Sequence, residues 1–293
     1  MLLADKLETA DARDREIQFD LLELNRLRLT PSTPTRPWRE DVRRLSALSL
    51  IEGEYIETLR DVVADEAAAV PTKPQHFLTW FTQLESTAPG QHDDLFPWLA
   101  ERANLDQMKW FLAQEVAGEA GFEDLTAITQ VRLPSRPKLE MARNYWDEMG
   151  RGNSKAMHGP LLQRLSDALG LRPDPAETVT EALMLANLMA GFALNRRYAY
   201  HSVGALGAIE LTAPGRAALV NDGLKRLRCS ADVRHYFSLH AVLDVRHSQT
   251  WNAEVILPLV EQDPSIATAI AEGALMRLRC GAACFERYRA RLW

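Results

Sequence analysis

Apolar residues recur at helical spacing along almost the whole chain, and this periodicity restricts the fold more than any other feature. Alternating strand-like runs are nearly absent, as are the Asn-Gly and Asp-Gly pairs that join strands in hairpins. Proline-rich connectors, TPSTPTRPW at 30–38 and VRLPSRP at 131–137, cannot continue a helix and divide the pattern into segments. The sequence therefore predicts an all-α fold.

The breaks and capping residues set the expected helix boundaries. Asp263 followed by Pro264 is a typical start, because an N-cap residue precedes a proline at the first helical position. No flexible linker separates the N-terminal part, so we expect a helical arm at 1–70 attached to one domain at 71–293. Helices are predicted at 4–28, 39–69, 74–86, 93–103, 104–129, 138–150, 154–170, 176–211 with room for a bend near Gly204 and Gly207, 213–228, 231–262 and 264–291.

Charge and segment composition restrict the partners and the compartment. The formal net charge of −6 argues against nucleic acid or an anionic membrane as the main partner. The N-terminal stretch lacks the apolar core of a secretory signal, and the most apolar run, at 182–194, is about two-thirds of a membrane span. The 3 cysteines include no CxxC pair, which is typical of reduced thiols. We therefore expect a cytoplasmic protein that binds neither nucleic acid nor membrane.

Residues 238–251, SLHAVLDVRHSQTW, place three metal-competent side chains in one predicted helix. At about 100° per residue, His240, Asp244 and His247 point within roughly 60° of one another, among apolar neighbours. Imidazole and carboxylate together suit iron or manganese, while a hydrogen-bonded polar cluster in the core is the alternative. An earlier DVRH copy ends at His235, which lies about 120° around the helix from His247 and is interpreted as an ordinary histidine.

Carboxylates that interrupt apolar faces elsewhere offer partners for such a site. Glu115 and Glu119 lie one turn apart in MKWFLAQEVAGEAGFEDL at 108–125. Glu148 and His158 are ten residues apart and would point about 80° apart on an ideal helix. The two glycines between them make a bend or bulge easy, and that distortion would bring the two side chains together. Taken separately, each segment also fits a solvated glutamate and a capping histidine.

In combination, these residues resemble the heme-oxygenase-like diiron oxidases, often described as iron-containing redox enzymes. That family carries a glutamate on one core helix, a glutamate followed ten positions later by histidine, and His-x3-Asp-x2-His on a later helix. The surrounding segments HGPLLQRLSDALGL and GALGAIELTAPGR are also similar, and the resemblance covers about residues 93–291. It implies a heme-oxygenase-like helical bundle with an N-terminal helical extension. The matching positions are Glu115, Glu148, His158, His240, Asp244 and His247, with Glu119 or Glu123 as substitutes for Glu115.

The resemblance also implies the chemistry. These six side chains would hold two iron ions, and O2 would be the cosubstrate. A peroxo-diferric intermediate would then oxidise a small-molecule substrate, with an external electron donor. Members that N-oxygenate amines or guanidines tend to carry a carboxylate three residues before the second-helix histidine, and Lys155 stands there in this chain. This departure favours oxidative C–H or C–C cleavage of a small carboxylate such as an amino acid, in natural-product biosynthesis, over N-oxygenation, although Lys155 also fits a surface lysine.

Residues that could contact a substrate are less clearly marked. Arg196 or Arg197 could pair with a substrate carboxylate, although such clusters are more often solvated helix ends. Glu210 interrupts the apolar GALGAIEL and is a candidate to support the metal ligands, with a hydrogen-bonded buried carboxylate as the alternative. The amphipathic N-terminal arm suggests a homodimer.

The alternatives come from other scaffolds and from the same fold. Ferritin-like diiron bundles carry a Glu-x-x-His pair on each of two helices, and this sequence contains none. A true heme oxygenase holds its porphyrin through one proximal histidine and would not need so many carboxylates nearby. A metal-free hydrolase or a ligand-binding protein of the same fold would leave the six-ligand pattern unexplained.

Overall fold

The structure is a computed structural model that describes residues 12–119 and 122–293, with the side chains of residues 14–118 and 123–293. These ranges contain helices and no strand, which confirms the all-α prediction. The α-helices are α1 (Ala12–Leu29), α2 (Trp38–Ala68), α3 (Pro74–Thr87), α4 (Leu95–Glu101), α5 (Leu105–Glu119), α6 (Phe122–Thr129), α7 (Ser135–Glu148), α8 (His158–Leu169), α9 (Thr180–Leu194), α10 (Ala199–Arg226), α11 (Ala231–Trp251), α12 (Leu257–Gln262) and α13 (Ala267–Leu292).

Most helices begin and end close to the predicted stops. The Asp263 side chain accepts a hydrogen bond from the backbone N–H of Ser265, which confirms the cap predicted before Pro264. The predicted helix at 231–262 is formed by α11 and α12, which a π-helical segment, Asn252–Ile256, joins without a break. Residues 4–11 of the first predicted helix, and 120–121 between α5 and α6, lie outside the described residues.

The prediction for 176–211 and 213–228 is wrong. Helix α9 ends at Leu194, because the Asn195 side chain accepts a hydrogen bond from the backbone N–H of Arg197 and caps a short 3-10 turn. Helix α10 then runs without a break through Pro214. Proline in a helix removes one backbone donor, and burial of much of α10 in the core stabilises the helix in spite of that loss.

The glycines expected to bend α10 instead permit close packing. A β-carbon at Gly204 would overlap the backbone carbonyl of Ile270, and a β-carbon at Gly273 would overlap that of His201. Helices α10 and α13 therefore cross with their backbones in contact. Gly207 lies against the Trp251 indole, which would be 2.7 Å from an added β-carbon.

One described helix reaches the length of a membrane span, contrary to the expectation that none would. The segment Arg196–Arg226 is apolar and long enough, but 67% of its most apolar window is buried inside the protein. Its apolar surface is therefore used in core packing.

The N-terminal helix α1 is attached to α9 by polar contacts. The Asn187 side-chain amide donates to the backbone and side-chain oxygens of Gln18, and Asn25 donates to Asn187 at 2.9 Å. Arg15 donates to backbone carbonyls in the segment before α9, among them that of Thr178 at 2.9 Å. These contacts place α1 along the wall of the internal cavity described below.

The helix crossing gives a first test. We expect Gly204→Ala to lower the free energy of unfolding by about 3 kcal/mol or more, because the added methyl group meets backbone rather than a movable side chain. Gly215→Ala in the same helix has nothing within 4 Å of the added carbon and should raise stability by up to about 1 kcal/mol. Urea unfolding of both variants checks this, and equal effects would contradict the packing.

Candidate metal centre

A break between two helices brings the first two ligand candidates together. Helix α7 ends at Glu148, two 3-10 turns follow, and α8 begins at His158. Gly150 and Gly152 have φ values of 59° and 87°, in the left-handed region that favours glycine. A β-carbon at Gly150 would lie 2.6 Å from the carbonyl carbon of Ala156. The distortion expected from the two glycines is therefore confirmed, and it is a complete interruption of the helix.

Five of the predicted ligands form two groups around one shared carboxylate. Each group can offer three donor atoms within 4.8 Å of one another, and all of the side chains are buried. Glu148 Oε2 lies 3.6 Å from His240 Nε2, and Glu148 Oε1 lies 3.7 Å from His247 Nδ1. Each oxygen of Glu148 thus faces a different group, as in a carboxylate that bridges two cations. The groups are Glu148, His158 and His240, and Glu148, Asp244 and His247.

The surroundings of His247 fit a bound cation. Its Nδ1 atom is buried and makes no hydrogen bond among the described residues. Oxygens of Glu210, Glu148 and Asp244 lie 3.5, 3.7 and 3.9 Å away. Those separations are too long for hydrogen bonds, but they are close to the distance of about 3.0–3.4 Å between adjacent ligands of a cation bound at about 2.1 Å. Imidazole and carboxylate donors in this ratio suit iron or manganese.

Neighbouring groups fix which nitrogen of each histidine faces the centre. His240 Nδ1 donates to the backbone carbonyl of Tyr236 at 2.7 Å, which leaves Nε2 directed at Glu148. His247 Nε2 lies 3.2 Å from Asp147 Oδ2, and Asp147 is itself held by Arg151 at 2.6 Å. Such hydrogen bonds orient metal ligands and make them more basic.

Crowding of charge determines the protonation of the centre. Burial, together with the Glu210 and Glu148 carboxylates, raises the pKa of Asp244 far above its ordinary value. Burial alone would lower the pKa of His247, but Glu210 and Glu148 raise it to about 9. For Glu148, burial opposes ionisation, but the charge of His240 holds its pKa below the usual value. At neutral pH the metal-free centre therefore holds protons on Asp244 and His247.

Two buried carboxylates outside the five-residue set complete the surroundings. Glu210 accepts a hydrogen bond from Asn144 at 2.7 Å and turns its other oxygen toward His247. Glu123, named from the sequence only as a substitute for Glu115, has Oε2 3.3 Å from His158 Nδ1. Burial opposes ionisation of Glu123, but His158 keeps its pKa below the ordinary value. Each carboxylate therefore adjoins one histidine of the two donor groups.

The sequence interpretation did not include three residues that support the centre. The Tyr236 hydroxyl lies 3.0 Å from His158 Nε2, Asp147 orients His247, and Asn144 holds Glu210. Helical spacing could have indicated Tyr236 and Asn144, since each is one turn before a ligand candidate on its own helix. Asp147 is adjacent to Glu148 in sequence, and adjacent residues of a straight helix do not share a face, so only the structure shows its role.

Glu115 lies apart from these two groups. It is half-buried and lines the internal cavity, near Tyr288 and Cys284. Burial and the Glu115 carboxylate together raise the pKa of the Tyr288 hydroxyl. The side chain of Glu119 lies outside the described residues.

The remaining substrate candidates have structural contacts at the surface. Lys155 is exposed in the second 3-10 turn. Arg196 donates to backbone carbonyls at the end of α6, and Arg197 pairs with Glu57 at 3.0 Å. Neither arginine lines the cavity. His235 is exposed, in agreement with its interpretation as an ordinary histidine.

A cavity of about 460 Å³ adjoins the centre. Glu148, His158, His240 and Asp244 form part of its wall, and further residues of α1, α4, α5, α6, α8, α9, α10, α11 and α13 contribute to the rest. Leucine, alanine and phenylalanine are the most frequent residues in that wall, which also contains charged and amide side chains. A concave, largely apolar site with a few polar groups is typical of small-molecule binding.

Sequence comparison identifies the family to which this arrangement belongs. Residues 109–282, more than half of the chain, match the family of iron-containing redox enzymes. The chain belongs to that family. The match includes both donor groups and confirms the heme-oxygenase-like resemblance. No protein of curated function matches the chain in sequence.

Solved structures share the fold of this iron-containing redox enzyme. A crystal structure at 2.00 Å of a CADD-like protein of unknown function from Nostoc punctiforme PCC 73102 is similar with a TM-score of 0.60 and 15% identity, covering 76% of this chain and 99% of that one. A second crystal structure of the same protein, at 1.35 Å, gives a TM-score of 0.56 and 16% identity, covering 76% of this chain and 96% of that one. At this identity the likeness concerns the fold alone.

Removal of the shared carboxylate tests the centre. We expect Glu148→Gln to retain less than about a tenth of the iron that the wild-type protein binds after anaerobic reconstitution, because both groups lose an anionic ligand. Glu140→Gln is the matched control, since Glu140 lies two turns earlier in α7 and pairs with Arg143. Iron is quantified by elemental analysis, and similar loss in both variants would contradict the assignment.

The protonation of the centre gives a pH-dependent prediction. A cation must displace the protons on Asp244 and His247, both of whose pKa values lie above neutrality in the metal-free protein. Affinity for ferrous iron should therefore rise with pH between pH 6 and 8, by about tenfold per unit for each proton that is released. Anaerobic competition against a chelator measures this, and a flat profile over that range would be inconsistent with it.

Proposed function

We propose that this protein is a non-heme diiron oxidase that uses O2 to oxidise a small carboxylate substrate. The observation that carries the proposal is the position of Glu148, whose two oxygens face two separate groups of buried donor atoms. Two ferrous ions held there would supply the electrons that activate dioxygen for attack on a C–H or C–C bond.

The surrounding residues have defined tasks in this proposal. Glu148, Asp244, Glu210 and Glu123 carry four negative charges when deprotonated, which would offset the charge of two divalent cations. Asp147 and the Tyr236 carbonyl hold the histidine rings in position. The apolar wall of the cavity excludes water, so that oxidising equivalents reach the substrate rather than solvent.

N-oxygenation of an amine or guanidine is the second candidate, and one contact favours it. C–H or C–C cleavage is preferred because Lys155 occupies the position, three residues before His158, at which N-oxygenating members tend to carry a carboxylate. A carboxylate does lie next to His158, but Glu123 supplies it from α6, 3.3 Å away. In this chain, a carboxylate from another helix therefore lies beside the histidine, as the nearby carboxylate would in the N-oxygenating members.

The proposed function is tested by anaerobic reconstitution with ferrous iron, followed by rapid mixing with oxygenated buffer, with ascorbate as external electron donor. Separate pools of amino acids, fatty acids and amines are added, and visible absorption and O2 consumption are followed. We expect a transient band that depends on one pool and is lost in His240→Ala and Glu148→Ala. A wild-type protein that binds only trace iron and consumes no O2 would refute the diiron assignment.

A pair of variants identifies the carboxylate that accompanies His158. We expect Glu123→Ala to lower substrate-dependent O2 consumption by at least about 100-fold, because the carboxylate adjoins the donor groups. Glu115→Ala removes a carboxylate near Tyr288 and should leave iron content unchanged. Iron content and O2 consumption are measured together, and loss of iron in Glu115→Ala alone would assign that residue to the centre instead.

A further inference from the structure

Arg277 in α13 is a buried cation that forms no ion pair with any carboxylate among the described residues. Only 9% of its surface is exposed, and its Nε atom makes no hydrogen bond. No ion pair or hydrogen bond of Arg277 occurs in the described part of the chain. Two other arginines that reach buried groups are paired with carboxylates: Arg28 pairs with Glu52 at 2.5 Å, and Arg60 pairs with Glu272 at 2.8 Å.

The local sequence makes room for this guanidinium group. Gly281 follows Arg277 by one helical turn, and a β-carbon there would lie 2.7 Å from Arg277 Nη1. The guanidinium group therefore occupies the space that a larger residue at 281 would fill. Arg277 lines the same cavity as Glu148 and His240.

A second arginine increases the positive charge of this part of the cavity. Arg216 lines the cavity with its guanidinium carbon 5.4 Å from the centre of the Phe285 ring, and it donates to the Thr212 hydroxyl at 3.0 Å. The stacking and this hydrogen bond orient Arg216. Arg277 lacks such described partners, and burial of an unpaired charge is destabilising unless a ligand compensates it.

The remaining wall defines the rest of the ligand. Leu112, Leu162, Leu185, Met189 and Phe237 line the cavity. A ligand that matches both the arginine side chains and the apolar wall has an anionic head group and an apolar body. A carboxylate matches the planar guanidinium fork by two parallel hydrogen bonds.

We propose that Arg277 binds the carboxylate of an amphiphilic carboxylic acid, whose apolar chain lies in the cavity beside the metal centre. The proposal rests on the proposed function in naming that acid as the substrate class. It assigns the carboxylate to the arginine rather than to the metal ions, so binding does not require iron.

The test uses full-length protein freed of metal by chelation. Octanoate, octan-1-ol and octylamine serve as probes of equal chain length with negative, neutral and positive head groups, and 2-aminooctanoate reports on an added amine. Titration calorimetry measures the dissociation constants, and thermal unfolding measures the shift in Tm. We expect octanoate or 2-aminooctanoate to bind at least about tenfold more tightly than octan-1-ol, and octylamine to bind more weakly still.

Arg277→Met and Arg279→Met form a matched pair in α13, since Arg279 pairs with Glu66 near the surface. We expect Arg277→Met to weaken carboxylate binding at least about tenfold while leaving the affinity for octan-1-ol unchanged. The ligand-free Tm of this variant should rise, because an uncompensated buried charge is removed; a residue that only supports packing would lower it. Arg279→Met should bind all probes as the wild-type protein does.

Gly281→Ala keeps the charge but displaces the guanidinium group, and it should weaken carboxylate binding as well. The proposal is overturned if octan-1-ol binds as tightly as the carboxylates, if Arg277→Met retains their affinity, or if no carboxylate binds until iron is added. Because every measurement is made without iron, failure here leaves the diiron assignment untouched, and failure of iron binding leaves this result standing.

Discussion

A single buried carboxylate, Glu148, is the element on which the rest of the site depends. Removal of a carboxylate from water is costly unless cations or hydrogen-bond donors compensate it. Histidines from α8 and α11 lie around this one, and its two oxygens face different groups of donors. The end of α7, the start of α8 and one face of α11 must therefore meet at one point, and the glycine-containing turns after Glu148 allow the chain to reach it.

Electrostatic crowding follows from that convergence. Asp244 and Glu210 lie close enough to Glu148 that protons remain on the centre at neutral pH when no cation is bound. Packing elsewhere holds these groups in place, notably the backbone contact of α10 with α13 at Gly204 and Gly273. The same geometry that is unfavourable for an ion-free core is suited to bound cations, so we expect metal binding to be coupled to proton release.

The cavity joins this polar centre to a second charge on α13. Arg277 and the metal-ligand candidates are separated in sequence but share one apolar-walled space. Helix α1, which precedes the family match at 109–282, contributes Leu22 and Asn25 to that wall. The part of the chain outside the match thus lines the cavity, whereas the metal-ligand candidates lie within the match.

The sequence by itself determined the all-α fold and five clustered donors, because helical periodicity and ligand spacing along one helix are local properties. It could not determine where α9 ends, since that depends on the Asn195 cap and on close packing of α10 against α13. Nor could it choose between Glu115 and Glu123, which are eight residues apart and separated by the gap between α5 and α6. Only the tertiary structure places Glu123 beside His158 and buries Arg277 with no ion pair in the described part of the chain, because both facts depend on contacts between distant segments.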